Sequence, residues 1–316
     1  MTIIDLKTMR ESLAPPSSVV CLGNFDGIHL GHAALVRETV EKAKSLSSPS
    51  SPVASGACFF KIAPSDYFAP ASTPHLITFE QKLSILADMG IQFAFVTDFI
   101  QLRDRSPKDF VEQTIRKECR GIYAVCGFNF HFGKSAEGTA QTLMHLMRGN
   151  ASVLDPVLFE GELISSSNIR KELSTGNVEK AHNMLGRPFA LATPVLRGKA
   201  LGRTLGIPTI NQQFPENFAI PKNGIYVTRT RIDGMEYASV SNVGIRPSVD
   251  DGMHVNCETH VLNFDREIYG ETVTVEFLKR LRGEIRFEDL NSLTAQIQKD
   301  IVQTTAYYKE AYSYEV

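Results

Sequence analysis

A continuous apolar run, Val19-Val20-Cys21-Leu22, stops at Gly23-Asn24-Phe25-Asp26-Gly27-Ile28-His29-Leu30-Gly31-His32 and gives way to a helical pattern at Ala33-Ala34-Leu35-Val36. A run without polar alternation marks a strand buried on both faces, and such strands belong to parallel sheets covered by helices. Similar runs recur at 54–60, 91–97 and 122–126, with helical patterns near 33–46, 78–89 and 107–119 between them. Thr78 with Gln81, and Ser106-Pro107 with Asp109, read as helix starts. This alternation predicts a doubly wound α/β domain whose ligands lie beyond the carboxyl ends of the strands. The strand–glycine turn–helix junction at 23–32 falls there.

The texture changes after Gly186-Arg187-Pro188. Short strand-like stretches at 189–197, 224–232, 236–243, 254–262 and 271–278 are separated by turns rich in Gly, Asn, Asp and Pro. Strands of that length and spacing predict a small antiparallel barrel. A helical pattern from Phe287 to about Tyr312, with Leu290, Leu293, Ile297 and Ile301 on one face, closes the chain. The boundary is placed at 185/186. Ser45 to Ser55 is serine- and proline-rich and reads as a surface connection inside the first domain.

A chain of 316 residues is comfortable for two cores. The net charge of −2 supplies no global field for nucleic acid or an anionic membrane. Five scattered cysteines without a Cys-x-x-Cys pair argue against a zinc site or a disulfide frame and fit a reducing compartment. No apolar run approaches the roughly 20 residues needed to span a bilayer. These readings predict a cytoplasmic protein, monomeric or weakly homo-oligomeric, with small-molecule ligands and neither nucleic-acid nor membrane partners.

Several clusters carry chemistry. His29 and His32 sit three apart at a helix start, where backbone N–H groups and the helix dipole favour an anion; Gly23, Phe25, Asp26, Gly27 and Gly31 shape that loop. Ser165, Ser166 and Ser167 at a second helix start, with Arg170 one turn in, form another anion cradle. Gly127 and Gly133-Lys134-Ser135 are separated by five residues where a P-loop has four, and three phenylalanines crowd the loop, so a P-loop is rejected. Gly198, Gly202 and Arg203 precede Gly206-Ile207-Pro208-Thr209-Ile210-Asn211. Glycines there permit close approach to phosphate, and Thr209 and Asn211 alternate by two, so both oxygens share one side of an extended segment. Two neutral oxygens plus substrate phosphates make a reasonable Mg²⁺ site. Glu258 is a lone carboxylate in Val255-Asn256-Cys257-Glu258-Thr259-His260-Val261, and phosphorylation of an alcohol requires a base.

Together these residues resemble the bacterial bifunctional riboflavin kinase/FAD synthetase family, which converts riboflavin to FMN and FMN to FAD. The resemblance rests on GNFDGIHLGH, ISSSNIR and LGRPF, then GRTLGIPTIN, SNVGIRPS and the stretch from Cys257 through Tyr269-Gly270 to Arg282-Gly283-Glu284, and covers nearly the whole chain. It implies an α/β Rossmann-like FMN adenylyltransferase domain at 1–185 and a Greek-key β-barrel riboflavin kinase domain with a C-terminal helix at 186–316. It implies that His29, His32, Arg170 and the serine motif handle ATP for adenylyl transfer. Thr209 and Asn211 would contact Mg²⁺, and Glu258 would act as base on the ribityl hydroxyl. Asn129 and Arg282 are candidate flavin contacts. Two positions depart from the family pattern: Ala63 stands at a usual histidine and Asn129 at a usual aspartate. They leave open the alternative of a kinase joined to a weakened adenylyltransferase half.

Overall fold

The computed structural model describes residues 1–8, 13–62, 64–68, 73–198, 206–247 and 253–312. The chain divides into two compact units, Met1–Ser166 and Ser167–Val316. The division falls before the expected 185/186, because the helices that follow Ile164 group with the barrel.

The first unit is built on six parallel strands: β1 (Thr2–Asp5), β2 (Ser18–Leu22), β3 (Ala54–Phe60), β4 (Phe93–Thr97), β5 (Gly121–Gly127) and, after the two-residue strands β6 (His131–Phe132) and β7 (Gly138–Thr139), β8 (Ala151–Leu154). Their spatial order is β1-β4-β3-β2-β5-β8. Every residue of β2 is buried, and its side chains alternate between two cores. Val19 and Cys21 pack with Leu35, Val36 and Leu86 on one face of the sheet. Val20 and Leu22 pack with Val111, Ile115 and Leu143 on the other. The helices covering the first face are α1 (Leu30–Leu46) and α3 (Phe79–Asp88); α2 (Pro64–Phe68) and α4 (Phe99–Leu102) are short. The start of α3 carries the expected capping box between Thr78 and Gln81. Over the second face, the expected helix 107–119 begins as an α-turn, α5 (Pro107–Asp109), then widens into a π-helix at Phe110–Glu118, with Cys119 N–H donating to Thr114 O. α6 (Ala140–Leu146) completes that layer. A small hairpin of β9 (Leu158–Phe159) and β10 (Glu162–Leu163) ends the unit.

In the second unit, α7 (Ser166–Thr175) and α8 (Val178–Leu185) precede a six-stranded antiparallel sheet. Its strands are β11 (Phe189–Pro194), β12 (Ile210–Gln213), β13 (Gly224–Ile232), β14 (Met235–Pro247), β15 (Met253–Val261) and β16 (Thr272–Arg282), ordered β11-β16-β13-β14-β15-β12. β12 pairs with β15 after the β13–β15 meander, a Greek-key connection. Leu196 N–H donates to Asn211 O at 2.7 Å, which nearly closes the sheet into a barrel. The barrel interior is part apolar and part hydroxyl-lined. Thr228, Ser239, Ser241 and Thr259 are all fully buried. Thr228 Oγ1 lies 2.8 Å from Ser241 Oγ, which lies 2.7 Å from Thr259 Oγ1. Each hydroxyl partners another, so the buried groups are satisfied. α9 (Leu290–Tyr312) packs outside, where Tyr308 joins Val227, Ala238 and Leu278 and donates its hydroxyl to Thr228 O at 2.9 Å.

Candidate active sites

In the parallel sheet, β2 is flanked by β3 on one side and β5 on the other. The chain runs β2, β3, β4 in one direction and β5, β8 in the other, so the loops after β2 and β5 border the topological switch point, where ligands bind in such sheets. The loop after β2 carries the histidine motif and its backbone is strained. Phe25 and Ile28 hold φ of 52° and 40° although neither is glycine, and both are buried. Such residues cost on the order of 1–3 kcal/mol each and persist where surrounding contacts over-determine them. Here Asp26 Oδ1 accepts Leu76 N–H at 2.9 Å, and Ser166 donates its hydroxyl to Asp26 O at 2.9 Å.

His29 is the N-cap of α1, its Nδ1 accepting His32 N–H at 3.3 Å. The two imidazoles stack with centroids 3.8 Å apart. A Cβ on Gly31 would lie 3.1 Å from His29 Cε1, so glycine there lets the ring sit close to the helix start. The Phe25 ring packs 5.3 Å from His32. Burial, then the neighbouring His29 and Lys82, push His32 well below the usual histidine value, so it is a neutral imidazole at pH 7. Its Nδ1 is buried with no partner among the described residues. Gly23 follows β2 directly, and Gly27 adopts φ 81° within the loop. Asn129 sits exposed in the turn after β5. Ser165 precedes α7, and Ser167 and Arg170 ride on it, the arginine half-buried. Ala63 lies outside the described residues.

The second cluster is on the barrel. Strand register places Asn211 of β12 opposite Glu258 of β15, and Glu258 opposite Asn242 of β14. Cross-strand partners share a face, so these three side chains form one row. Their neighbours Gln212, Ser241, Cys257 and Thr259 are buried inside, which puts the row on the outer face. Thr209 lies just before β12, on the same parity as Asn211. His260, two along from Glu258, bonds through Nδ1 to Pro208 O at 2.8 Å. A carbonyl only accepts, so Nδ1 carries the proton and the bond pins the Pro208-Thr209 segment. A Cβ on Gly198 would lie 2.6 Å from Asn211 Nδ2, so the Gly198 backbone passes directly over that carboxamide. Asn242 Oδ1 is buried without a partner among the described residues. Gly202 and Arg203 lie outside the described residues.

Arg282 is held by α9. Its Nε and Nη2 donate to Asp300 Oδ1 and Oδ2 at 3.0 and 2.6 Å, and its Nη1 donates to Gly283 O. Three neighbours of these clusters are absent from the sequence reading. Asn242 and His260 enter through strand register, which has no local signature. Lys82 had one: it lies on the apolar face of α3 between Phe79 and Leu86, is 8% exposed, and donates to Asn24 O at 2.8 Å.

Known proteins of similar sequence and fold identify the family. Residues 12–168 match a family model described as FAD synthetase, and residues 185–308 one described as riboflavin kinase. The bifunctional riboflavin kinase/FMN adenylyltransferase of Listeria monocytogenes is 30% identical over 297 residues, covering 92% of this chain and 93% of the relative. That of Bacillus subtilis is 31% identical over 301 residues, covering 92% of each. A solved structure from Streptococcus pneumoniae, described as a macrolide-efflux protein, superposes with a TM-score of 0.86 at 30% identity, covering 96% of this chain and 99% of that one. With the switch-point loop and the barrel row in place, and with relatives matching end to end, the chain belongs to the bifunctional riboflavin kinase/FMN adenylyltransferase family.

Proposed function

We propose that the two reactions of this enzyme are divided between the two clusters: the barrel row phosphorylates riboflavin, and the histidine loop handles adenylyl transfer to FMN. ATP is the co-substrate of both. The observation that carries the division is register: Glu258 lies opposite Asn211 on one face of the barrel, while the stacked imidazoles stand at the switch point of the parallel sheet.

Riboflavin offers an alcohol, a poor nucleophile until its proton leaves. Glu258 takes that proton as the ribityl oxygen bonds to the γ-phosphorus and the bond to the ADP oxygen breaks. Thr209 and Asn211 fit a Mg²⁺ ion, since they present neutral hard oxygens beside a carboxylate and Mg²⁺ takes few protein ligands. An ion held there would neutralise phosphate charge. Gly198 is assigned to the phosphate chain; Gly202 and Arg203, which the motif assigns to it as well, lie outside the described residues.

FMN already carries an ionised phosphate, so adenylyl transfer needs positioning and charge stabilisation rather than a protein base. Its phosphate oxygen bonds to the α-phosphorus of ATP as pyrophosphate leaves. His29 and His32 supply donors, and Gly23, Phe25, Asp26, Gly27, Gly31, Ser165 and Ser166 shape the cradle; the sequence motif assigns Ser167 and Arg170 to the nucleotide as well. A neutral His32 keeps one ring N–H to donate. Asn129, beyond β5, borders the same switch point and is assigned to the flavin; Arg282, expected at the flavin, has its donors on Asp300 and Gly283 O and is assigned instead to orienting α9. No observation favours an inactive adenylyltransferase half, and residues 12–168 match the FAD synthetase model. Work in the cytoplasm accords with five buried free thiols, and no described helix is long and apolar enough to cross a membrane; a monomer or weak homo-oligomer remains the expected state.

Incubation with riboflavin, ATP and Mg²⁺, followed by chromatography of the flavins, tests the reading. FMN and then FAD are expected. Glu258→Gln should lower FMN formation by about 10²–10⁴-fold and leave FMN-to-FAD conversion intact; His32→Ala should do the reverse. If both steps fall together in either folded variant, the division is wrong.

A further inference from the structure

Lys82 is a charged residue where the fold has no structural need of one. It projects from the apolar face of α3, is 8% exposed, and lies 5.2 Å over the Phe59 ring. Taking an ammonium out of water costs several kcal/mol, and an apolar side chain of similar volume is often as stable or more so. The ammonium donates at 2.8 Å to the carbonyl of Asn24, inside the histidine loop. We propose that Lys82 is a positioning residue for adenylyl transfer, fixing the Asn24–Phe25 peptide of the switch-point loop.

The stereochemistry supports this. The Asn24–Phe25 peptide is trans, so a carbonyl turned to Lys82 sends the Phe25 N–H the opposite way. Phe25 follows in the left-handed region at φ 52°, with its ring buried between Phe59 and His32. Without the ammonium, that half-buried carbonyl would lose its donor in a strained turn, and the turn would relax. The titratable groups facing Lys82 are Asp26 on the loop and His32 on α1, with His29 stacked on His32; from β3 it meets only the Phe59 ring among the contacts described. Burial brings Lys82 down to about 8, against the opposing pull of Asp26. The ammonium in turn helps to hold His32 neutral. The proposal rests on the assignment of this loop to adenylyl transfer.

The test uses the intact enzyme, whose riboflavin phosphorylation is an internal control for folding. Lys82→Met keeps length and apolar stem but lacks the donor. It should keep FMN formation and thermal stability while lowering kcat for FMN-to-FAD conversion by at least about tenfold, and Lys82→Arg should restore much of that rate. A second readout is the pH profile. The ammonium is present below about 8 and lost above it, so wild-type FAD formation should fall as pH rises through that value. In Lys82→Arg the fall should move up by about a unit or more, since arginine stays charged. Full FAD formation by Lys82→Met, or a wild-type rate that stays flat through that pH, overturns the proposal. Should Lys82→Met also lose FMN formation, the pH profiles of wild type and Lys82→Arg decide. His32→Ala separates the two levels: if it makes FAD normally, the site assignment has failed; if it does not and Lys82→Met does, only the role of Lys82 has.

Discussion

Replacing Arg282 by methionine separates a ligand contact from a structural one. Asp300 is 2% exposed and receives Arg282 Nε and Nη2 at 3.0 and 2.6 Å. In Arg282→Met it keeps the bond from Gln296 Nε2, 3.0 Å from Oδ1, but loses its counter-charge. Breaking one side of a buried pair costs about 3–5 kcal/mol, mostly because the remaining charge is stranded. At about 2–4 °C per kcal/mol, melting of the barrel unit should fall by roughly 6–20 °C. The reverse change, Asp300→Leu, strands a guanidinium whose side chain is 18% exposed and better able to reach water, so its loss should be smaller. The double variant should regain most of the stability, because an apolar pair in place of a buried ion pair is often neutral. Urea unfolding followed by far-ultraviolet circular dichroism on both singles and the double measures the coupling. A loss under about 1 kcal/mol in Arg282→Met, together with a raised KM for riboflavin, would refute the argument: the guanidinium would then act on flavin rather than on α9.

Two glycines give sharper tests of site geometry. Gly198→Ala places a Cβ 2.6 Å from Asn211 Nδ2 and should slow FMN formation by about 10²-fold through a displacement of order 1 Å, with melting unchanged; an unaltered rate would detach Asn211 from the reaction. Gly31→Ala should stabilise α1 by up to about 1 kcal/mol while slowing FAD formation, because its Cβ meets His29 Cε1 at 3.1 Å; calorimetry and the flavin chromatogram read the two effects separately.

Much of the parallel sheet was legible because its central strands are apolar throughout, and β2, β3, β4 and β5 lie where their runs lie. The edges were not. β1 is four residues with one buried side chain, and β8 is buried only at Ala151, so neither has a run to read. β12 was hidden for the opposite reason. Thr209 to Asn211 read as an extended segment but Ile-Asn-Gln-Gln has no apolar alternation to mark a strand, yet Gln212 is 1% exposed and donates to Thr193 O and Val273 O inside the barrel. The histidine loop announced itself through local spacing. The kinase row did not, since Asn211, Glu258 and Asn242 meet only through the pairing of three strands, and a polar residue facing outward looks like any solvated position. Lys82 and Arg282 show the remaining limit. A lysine on an apolar helix face stands out in the sequence and an arginine at a strand end does not, but neither names the carbonyl or carboxylate it bonds.

The two faces of β15 carry different chemistry one residue apart: hydroxyl and thiol inward at Cys257 and Thr259, carboxylate outward at Glu258. Loss or gain of a single residue within that strand would turn the proposed base into the barrel and present a thiol or a hydroxyl to the substrate instead. Indels in this strand therefore cannot be neutral, and drift in the family should be confined there to substitutions, with length variation pushed out to the connecting loops.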